Sequence, residues 1–124
     1  DLSKAIPTEL IAYGRLPLMI TENCIIHNHS GQHTCSNVNL LTDRKGEWFP
    51  VVQAYGCRNE ILNSKKLFLA DRTQDYGRLG LWAARLMFTT ENAMECAQVL
   101  ERYLGQGSYQ PNEYTRGLYY RDVE

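Results

Sequence analysis

The segment YGRLPLMITENC, residues 13–24, runs from an apolar stretch directly into a cysteine-bearing loop. Apolar side chains alternate along its first half, which is the pattern of a half-buried β-strand. Pro17 lacks a backbone donor, so it fits only an edge strand or a strand end. We therefore predict one strand over residues 9–20, with the cysteine-bearing loop following it.

That loop is rich in side chains that bind metal ions. It holds all three histidines of the chain, and its candidate ligands are Cys24, His27, His29, His33 and Cys35. A third thiol, Cys57, comes after a predicted hairpin, whereas Cys96 is interpreted as a small buried hydrophobe in a helix. Three thiols with nearby imidazoles can bind zinc or an iron–sulfur cluster. We therefore expect a metal or cluster site on Cys24, Cys35 and Cys57.

The spacing of these cysteines leaves an ordinary alternative open. Ten residues separate Cys24 from Cys35 and 21 separate Cys35 from Cys57, unlike the C-x2-C pair of most zinc modules. Three reduced, unligated thiols fit this spacing equally well. His33 and His27 are candidates for the fourth position of a Cys3His set, and a solvated loop histidine is the alternative for each.

Composition narrows the class of protein. The chain has 124 residues, enough for one domain, and a net charge of −1 from 13 basic and 14 acidic residues. No bulk charge therefore attracts nucleic acid or an anionic membrane. No apolar run approaches the roughly 18 residues of a membrane span, and the chain does not begin with a signal segment. We expect a cytoplasmic protein with reduced thiols and no membrane partner.

Local patterns predict a hairpin and two further elements. The β-rich runs at residues 38–42 and 48–52 enclose the sequence DRKGE, whose Asp and Gly suit a tight turn. Residues 61–70 form another extended apolar segment. Residues 72–80 make at best a short helix, because Gly77 costs about 1 kcal/mol against alanine there.

A strand and a helix are predicted towards the C-terminus. Residues 81–90 are almost all apolar, the pattern of a strand covered on both faces in a parallel sheet. A helix capped by Thr89 or Thr90 then runs through about Leu104, with Gly105 placed to end it. Its apolar residues at helical spacing are Ala93, Ala97, Leu100 and Leu104.

We expect a single domain over residues 1–124, cut from the C-terminal part of a longer chain. Its predicted parts are the strand entry at 1–20, the Cys/His loop and hairpin at 21–70, the final βα unit at 71–106 and a tyrosine-rich tail at 107–124 with a short strand at 118–121. A buried strand followed by a helix indicates the last βα unit of an α/β sheet, with the loop and hairpin inserted before it. As an isolated piece the fold is α+β.

Several motifs together resemble a known family. They are YGRLPLM at 13–19 leading to Cys24, LTDRKG at 41–46 with the Phe-Pro pair at 49–50, Cys57 followed by ILNS at 61–64, FTTE at 88–91 and TRG at 115–117. In this order, over nearly the whole chain, they resemble the C-terminal half of the collagenase-like peptidases, the thirty-second peptidase family of unassigned mechanism. The resemblance implies the C-terminal portion of a TIM-barrel-like fold in a bacterial protein. Its first partner would be the N-terminal half of the same chain.

The resemblance implies two kinds of activity. Some members are described as proteases, including collagen-degrading ones, which implies a protein or peptide substrate. Others are thought to carry a four-iron four-sulfur cluster and to take part in hydroxylation of RNA bases or of quinone precursors. By position, Cys24, Cys35 and Cys57 match three cluster ligands, whereas Pro17 replaces a further cysteine of several cluster-bearing members. A fourth ligand would come from the N-terminal half or from a loop histidine.

We therefore expect a peptidase with a cysteine-based metal or cluster site, inactive as a fragment because half a barrel offers half a site. A docking or structural domain is the non-enzymatic alternative.

Arg15, Arg58 and Arg116 are candidate substrate-binding residues, since guanidinium groups bind carboxylates and phosphates, although internal salt bridges explain them equally well. A thiol–imidazole pair, either Cys24 with His27 or Cys57 with a loop histidine, has the composition of a nucleophile and its base. An exposed sheet edge would favour a homodimer.

Overall fold

The computed structural model describes residues 2–34 and 37–117. In chain order its elements are α1 (Leu2–Ala5), β1 (Glu9–Gly14), β2 (Pro17–Ile20), α2 (Ile25–Ser30), β3 (Asn39–Thr42), β4 (Trp48–Ala54), β5 (Arg58–Leu62), β6 (Lys66–Phe68), a 3-10 turn (Ala70–Arg72), α3 (Thr73–Leu79), β7 (Ala83–Met87), α4 (Ala93–Tyr103) and β8 (Tyr114–Thr115). These elements form two compact units, each of mixed α/β structure. The first unit comprises Asp1–Gly14 with Lys65–Glu124, and the second comprises Arg15–Ser64. Within the described ranges no helix has the length and apolar character needed to cross a membrane.

The first unit is built on a four-stranded sheet with the order β7-β1-β6-β8. Strand β1 runs parallel to β7 and antiparallel to β6, and β6 runs parallel to β8. Its buried core cluster contains Tyr13, Phe68, Ala70 and Val99. Strand β7 is followed by helix α4, which is the βα order predicted from the sequence.

The strand predicted at residues 81–90 is present over Ala83–Met87 and pairs in parallel with β1. The prediction that it is covered on both faces is wrong. The strand lies at the edge of the sheet, its residues are exposed or half-buried, and Trp82 just before it is 72% exposed. An apolar run does not reveal what packs against it, so it cannot by itself separate a central strand from an edge strand.

Helix α4 is present, but its cap differs from the predicted one. Asn92, rather than Thr89 or Thr90, caps the helix, and its side chain accepts a hydrogen bond from the Glu95 backbone N–H at 2.8 Å. Asparagine is among the strongest capping residues, so this choice agrees with helix chemistry. Gly105 has φ +82° just after the helix, as expected of a residue that ends one.

The buried face of α4 also differs from the prediction. The apolar residues expected to face the core are exposed: Ala93, Ala97, Leu100 and Leu104. The core position is Val99, which is fully buried, and Cys96 and Tyr103 beside it on the same face are half-buried. The Tyr103 hydroxyl donates to the Ala12 carbonyl at 2.5 Å and accepts from the Leu69 N–H at 3.0 Å. These two hydrogen bonds and the buried Val99 side chain mark the face of α4 that packs on the sheet.

The second unit is an antiparallel sheet with the order β2-β5-β4-β3. The predicted hairpin is confirmed as β3 and β4. The Asp43 Oδ1 atom accepts from the N–H groups of Lys45 at 2.8 Å and Glu47 at 2.9 Å, and Gly46 takes φ +82° in the same turn. Pro17 is the first residue of the edge strand β2, as its missing donor requires.

Two segments predicted as continuous are divided between the units. The strand predicted at residues 9–20 is two strands, β1 and β2, in different sheets. Gly14 separates them with φ +124°, and a Cβ placed there would lie 2.2 Å from the Met87 carbonyl oxygen, so only glycine fits. The segment predicted at 61–70 likewise divides into the end of β5 and strand β6. The strand predicted at 118–121 lies outside the described residues.

Candidate metal centre

Three predicted ligands converge in the second unit. Cys24, His33 and Cys57 each place one donor atom within 4.8 Å of the other two. The Cys57 Sγ atom lies 3.5 Å from the His33 Nδ1 atom. Cys24 is buried, Cys57 is half-buried and His33 is exposed. The group therefore reaches from the interior of the unit to its surface, and its donors can hold a metal ion.

Helix α2 positions Cys24. The cysteine-bearing segment after residue 20 was predicted as a loop, but Ile25–Ser30 are helical, which corrects that prediction. Cys24 is the N-cap, and its Sγ atom accepts a hydrogen bond from the His27 N–H at 3.4 Å. Gly31 ends the helix with φ +75° and returns the chain towards His33. Six residues are too few for an isolated helix to be stable, so α2 depends on its contacts with the sheet.

Cys57 lies in the tight connection between β4 and β5. Ala54 pairs with Arg58, so three residues form the turn. Cys57 has φ +60°, which is uncommon for a residue other than glycine, and Gly56 before it has φ +76°. A three-residue hairpin turn ends in such a left-handed residue, and this backbone conformation sets where the thiol points.

Asn59 joins the two cysteine-bearing segments, and sequence reasoning missed it. The residue is fully buried. Its Oδ1 atom accepts from the Ile25 N–H at 2.7 Å and from the Ile26 N–H at 3.4 Å. The one feature that marks this asparagine is that its polar side chain is buried. That burial cannot be read from the sequence, because it depends on how the strands pair.

The three histidines occupy different positions relative to this group. The His27 and His33 rings are stacked, with centroids 4.0 Å apart and planes 8° apart. Among the described residues the converging group includes His33 and does not include His27. His29 is exposed on α2. His27 therefore packs against His33, and its role as a ligand stays a prediction.

Cys35, the remaining predicted thiol ligand, lies outside the described residues. It follows His33 by two positions, and the first described residue after it is Asn37. Its role as a ligand stays a prediction.

Arg116 is occupied by an internal ion pair. Its guanidinium pairs with the Asp71 carboxylate, with Nη2 2.8 Å from Oδ2, and Nη1 donates to the Phe68 carbonyl at 3.1 Å. The hydrogen bond from Arg116 is the main cause that holds the pKa of Asp71 below its usual value. The salt-bridge interpretation therefore describes Arg116 in this structure. Arg85 is paired in the same way, with Nε 2.5 Å from the Glu9 carboxylate.

Arg15 and Arg58 differ in their surroundings. The Arg15 Nη1 group donates to the carbonyls of Asn63, at 3.0 Å, and Ser64. Its Nε atom is buried and has no hydrogen-bond partner among the described residues. Arg58 begins β5 and is exposed one residue after Cys57. Substrate binding by either residue stays a prediction.

A buried polar network in the first unit was also missed. The Glu91 side chain is completely buried, and its Oε1 atom lies 2.9 Å from the Tyr13 hydroxyl and 3.1 Å from the Lys66 ammonium. Its Oε2 atom accepts from the Thr89 N–H at 2.9 Å and the Thr90 N–H at 3.2 Å. The carboxylate is thus well supplied with donors, and the network ties the loop before α4 to β1 and β6.

The network shifts the titration of two of its members. Burial by itself raises the pKa of Glu91, but the Thr89 hydrogen bond, the Lys66 ammonium and the Tyr13 hydroxyl together bring it below the usual value. Burial, followed by the hydrogen bond to Glu91, raises the pKa of Tyr13 far above its usual value. Glu91 is therefore charged and Tyr13 neutral at physiological pH, which fits a structural ion pair better than an acid–base pair.

Comparison of the chain with protein-family models, with curated proteins and with solved structures finds no match.

Proposed function

We propose that the second unit is a metal-binding module whose ion is held by Cys24, His33 and Cys57, with Cys35 as the fourth ligand. The observation that carries this proposal is the convergence of three donor atoms to within 4.8 Å from three separate segments of the chain. Thiolate and imidazole are the ligands of structural zinc sites. A Cys3His set would complete such a site.

The spacing of the donors favours a single ion. Zinc bonds of about 2.3 Å to sulfur and about 2.0 Å to nitrogen place the two donors of a tetrahedral site about 3.5 Å apart. The Cys57 Sγ to His33 Nδ1 separation is 3.5 Å. A four-iron cluster takes one thiolate for each iron, so its ligand sulfurs stand further apart than two donors on one ion. Zinc is therefore the proposed ion, and a four-iron four-sulfur cluster is the alternative.

The ion would supply a cross-link between the segment around α2 and the β4–β5 turn. Both segments are short and would otherwise depend on a few hydrogen bonds. Four protein ligands leave no open position on zinc, which is the condition of a structural site. The binding free energy of the ion then contributes directly to folding of the unit.

A thiol nucleophile is the second candidate function. Cys57 and His33 are close enough for an imidazole to take the thiol proton, and the stacked His27 ring orients the base. This agrees with the family resemblance, from which we propose peptidase activity of the whole protein towards protein or peptide substrates. The Cys24 thiol lies close to this pair and favours metal binding over nucleophilic catalysis, because a thiol nucleophile does not need a second thiol beside it.

The wider family assignment is a further part of the proposal. The motif resemblance supports membership of the collagenase-like peptidases and a place at the C-terminal end of a TIM-barrel-like fold. The mixed α/β structure and the parallel β7–β1 pair followed by α4 are compatible with that placement. If the protein instead binds a four-iron four-sulfur cluster, the proposed reaction is the hydroxylation of RNA bases or of quinone precursors. A bacterial cytoplasmic protein with reduced thiols suits either version.

Association with another chain is the non-catalytic candidate. Edge strand β2 leaves Leu18, Met19 and Ile20 exposed by 56%, 58% and 60%. Such an edge can pair with a second copy or with another chain. A homodimer through this edge predicts twice the monomer mass in solution, and substitution of Met19 by lysine would abolish it.

Metal analysis distinguishes these candidates. The full chain, purified without oxygen, is expected to be colourless and to contain about one zinc per chain. A brown protein with iron and sulfide would establish the cluster alternative instead. Protein that contains neither, and in which Cys57 alone reacts rapidly with a thiol alkylator, would favour the nucleophile. Cys96→Ser is the matched control, because Cys96 lies in α4 of the other unit.

A further inference from the structure

Asn59 links both cysteine-bearing segments of the candidate centre. It lies two residues after Cys57, and no part of its side chain is exposed to solvent. Its Oδ1 atom accepts from the N–H groups of Ile25, at 2.7 Å, and Ile26, at 3.4 Å. These are the first two donors of α2, the helix that Cys24 caps. One side chain thus holds the start of the Cys24 helix against the Cys57 strand.

The main chain of Asn59 reinforces this contact. The Thr21 N–H donates to the Asn59 carbonyl at 2.8 Å, and the Asn59 N–H donates to the Thr21 Oγ1 atom at 3.1 Å. The segment that leads into Cys24 is therefore joined to β5 on both sides of the helix start. The hydrogen bonds hold the two thiol-bearing segments in register.

The chemistry of the position explains why an asparagine stands there. The Asn59 Nδ2 atom is buried and has no hydrogen-bond partner among the residues described. An unpaired buried donor is unfavourable, so this amide is not explained by packing alone. An apolar residue would remove that cost but would leave the Ile25 and Ile26 donors without their acceptor. The Oδ1 atom is therefore the part of the side chain that the site requires.

We propose that Asn59 is a positioning residue for the metal centre. Its Oδ1 atom fixes the Cys24 thiol beside the Cys57 thiol before any ion binds. Preorganisation of this kind is the usual task of residues that surround metal ligands, and losing them lowers metal affinity. The consequence for metal affinity rests on the proposed function, whereas the consequence for thiol proximity does not.

The first arm of the test uses metal-free protein. In a Cys35→Ser, Cys96→Ser background the chain retains only Cys24 and Cys57, which a short bifunctional reagent can bridge with fluorescence as the signal. We expect rapid bridging with asparagine at position 59. Asn59→Ala is expected to bridge severalfold more slowly. Asn28→Ala makes the same substitution at an exposed position of α2 and is expected to bridge at the rate of the parent.

The second arm measures cobalt(II) affinity in the otherwise native chain. Asn59→Ala is expected to weaken binding by about 10- to 100-fold, the usual effect of losing a group that orients metal ligands. Asn28→Ala, at an exposed position of α2, is expected to bind with the native affinity. The sulfur-to-cobalt absorption per bound ion stays constant in all three proteins, because Asn59 is not itself a ligand. A change in that absorption would mean an altered ligand set and would contradict a positioning role.

The two arms separate failure of this inference from failure of the metal function. Native protein that bridges well but binds no cobalt would refute the metal centre and leave the positioning role intact. Asn59→Ala that bridges as fast as the parent would overturn the positioning role, whatever the cobalt result. Should Asn59→Ala fail to fold, amide hydrogen exchange in the native chain tests the same contact: the Ile25 and Ile26 N–H groups, which donate to Asn59 Oδ1, are expected to be protected, and unprotected exchange at both would overturn the positioning role.

Discussion

The Cys57 Sγ atom and the His33 Nδ1 atom are 3.5 Å apart, although the residues are separated by 24 positions in the chain. A helix of six residues and a three-residue hairpin turn bring them together with Cys24. Each of these supports is a short element held by hydrogen bonds. The site is thus built from short local elements, and one buried residue, Asn59, holds the start of α2 against β5.

Removal of the Lys66 ammonium is expected to destabilise the first unit strongly. Lys66→Met leaves the completely buried Glu91 carboxylate without its cation. Breaking a buried ion pair by removing one partner typically costs about 3–5 kcal/mol. The free energy of unfolding in urea, measured at neutral pH, checks this value.

An exposed ion pair supplies the control for that experiment. Arg78 pairs with Asp75 across one turn of α3, with its side chain 81% exposed. Arg78→Met is expected to change the free energy of unfolding by less than about 1 kcal/mol. Similar small losses in both variants would show that the Lys66 network contributes little.

The same network predicts a dependence of stability on pH. The folded-state pKa of Glu91 lies below its usual value of 4.5. A carboxyl group of this kind contributes stability that is fully present above its unfolded pKa and is lost as the pH falls through its folded pKa. Native protein is therefore expected to lose stability below about pH 4.5 more steeply than Glu91→Gln, in urea titrations at a series of pH values. Parallel pH profiles for the two proteins would contradict this prediction.

Two glycines are expected to respond oppositely to alanine. Gly14 has φ +124° and no room for a Cβ, because the Met87 carbonyl oxygen would lie 2.2 Å away. Gly77 lies inside α3 with open space around it, and its backbone is helical. Gly14→Ala should lower the thermal midpoint markedly, whereas Gly77→Ala should stabilise the protein by up to about 1 kcal/mol. Equal effects of the two substitutions would contradict the described conformation of Gly14.

Local features of the fold were predictable from the sequence. The hairpin of β3 and β4 depends on an Asp and a Gly within its own turn, and the short helix predicted at 72–80 is α3, which Gly80 ends with a left-handed φ. The end of α4 was predicted because Gly105 marks it. These elements depend on neighbouring residues, so pattern reasoning describes them well.

Features that depend on distant partners were not predictable. The break at Gly14 follows from the approach of Met87, 73 positions away, and the buried face of α4 follows from the hydrogen bond between Tyr103 and Ala12. Neither contact leaves a periodic signal in the sequence. The expected strand over 9–20 and the expected helix face were therefore wrong.

The candidate site was predictable in its ligands and not in its supports. The clustering of thiols and imidazoles within one loop gave five candidate ligands, and the structure brings two of them, Cys24 and His33, together with Cys57. Asn59 and Lys66 are ordinary residues in the sequence. Their burial and their partners, which lie on other elements, give them their roles.

Zinc or cobalt binding to the native chain and to Cys57→Ser, with Cys96→Ser as the control, tests the central claim most directly. The metal-centre account predicts about one tightly bound ion per chain in the native and Cys96→Ser proteins, since closed thiolate–imidazole sites bind zinc tightly. It predicts loss of that ion in Cys57→Ser. Equal metal content in all three proteins, or none in the native chain, would contradict it.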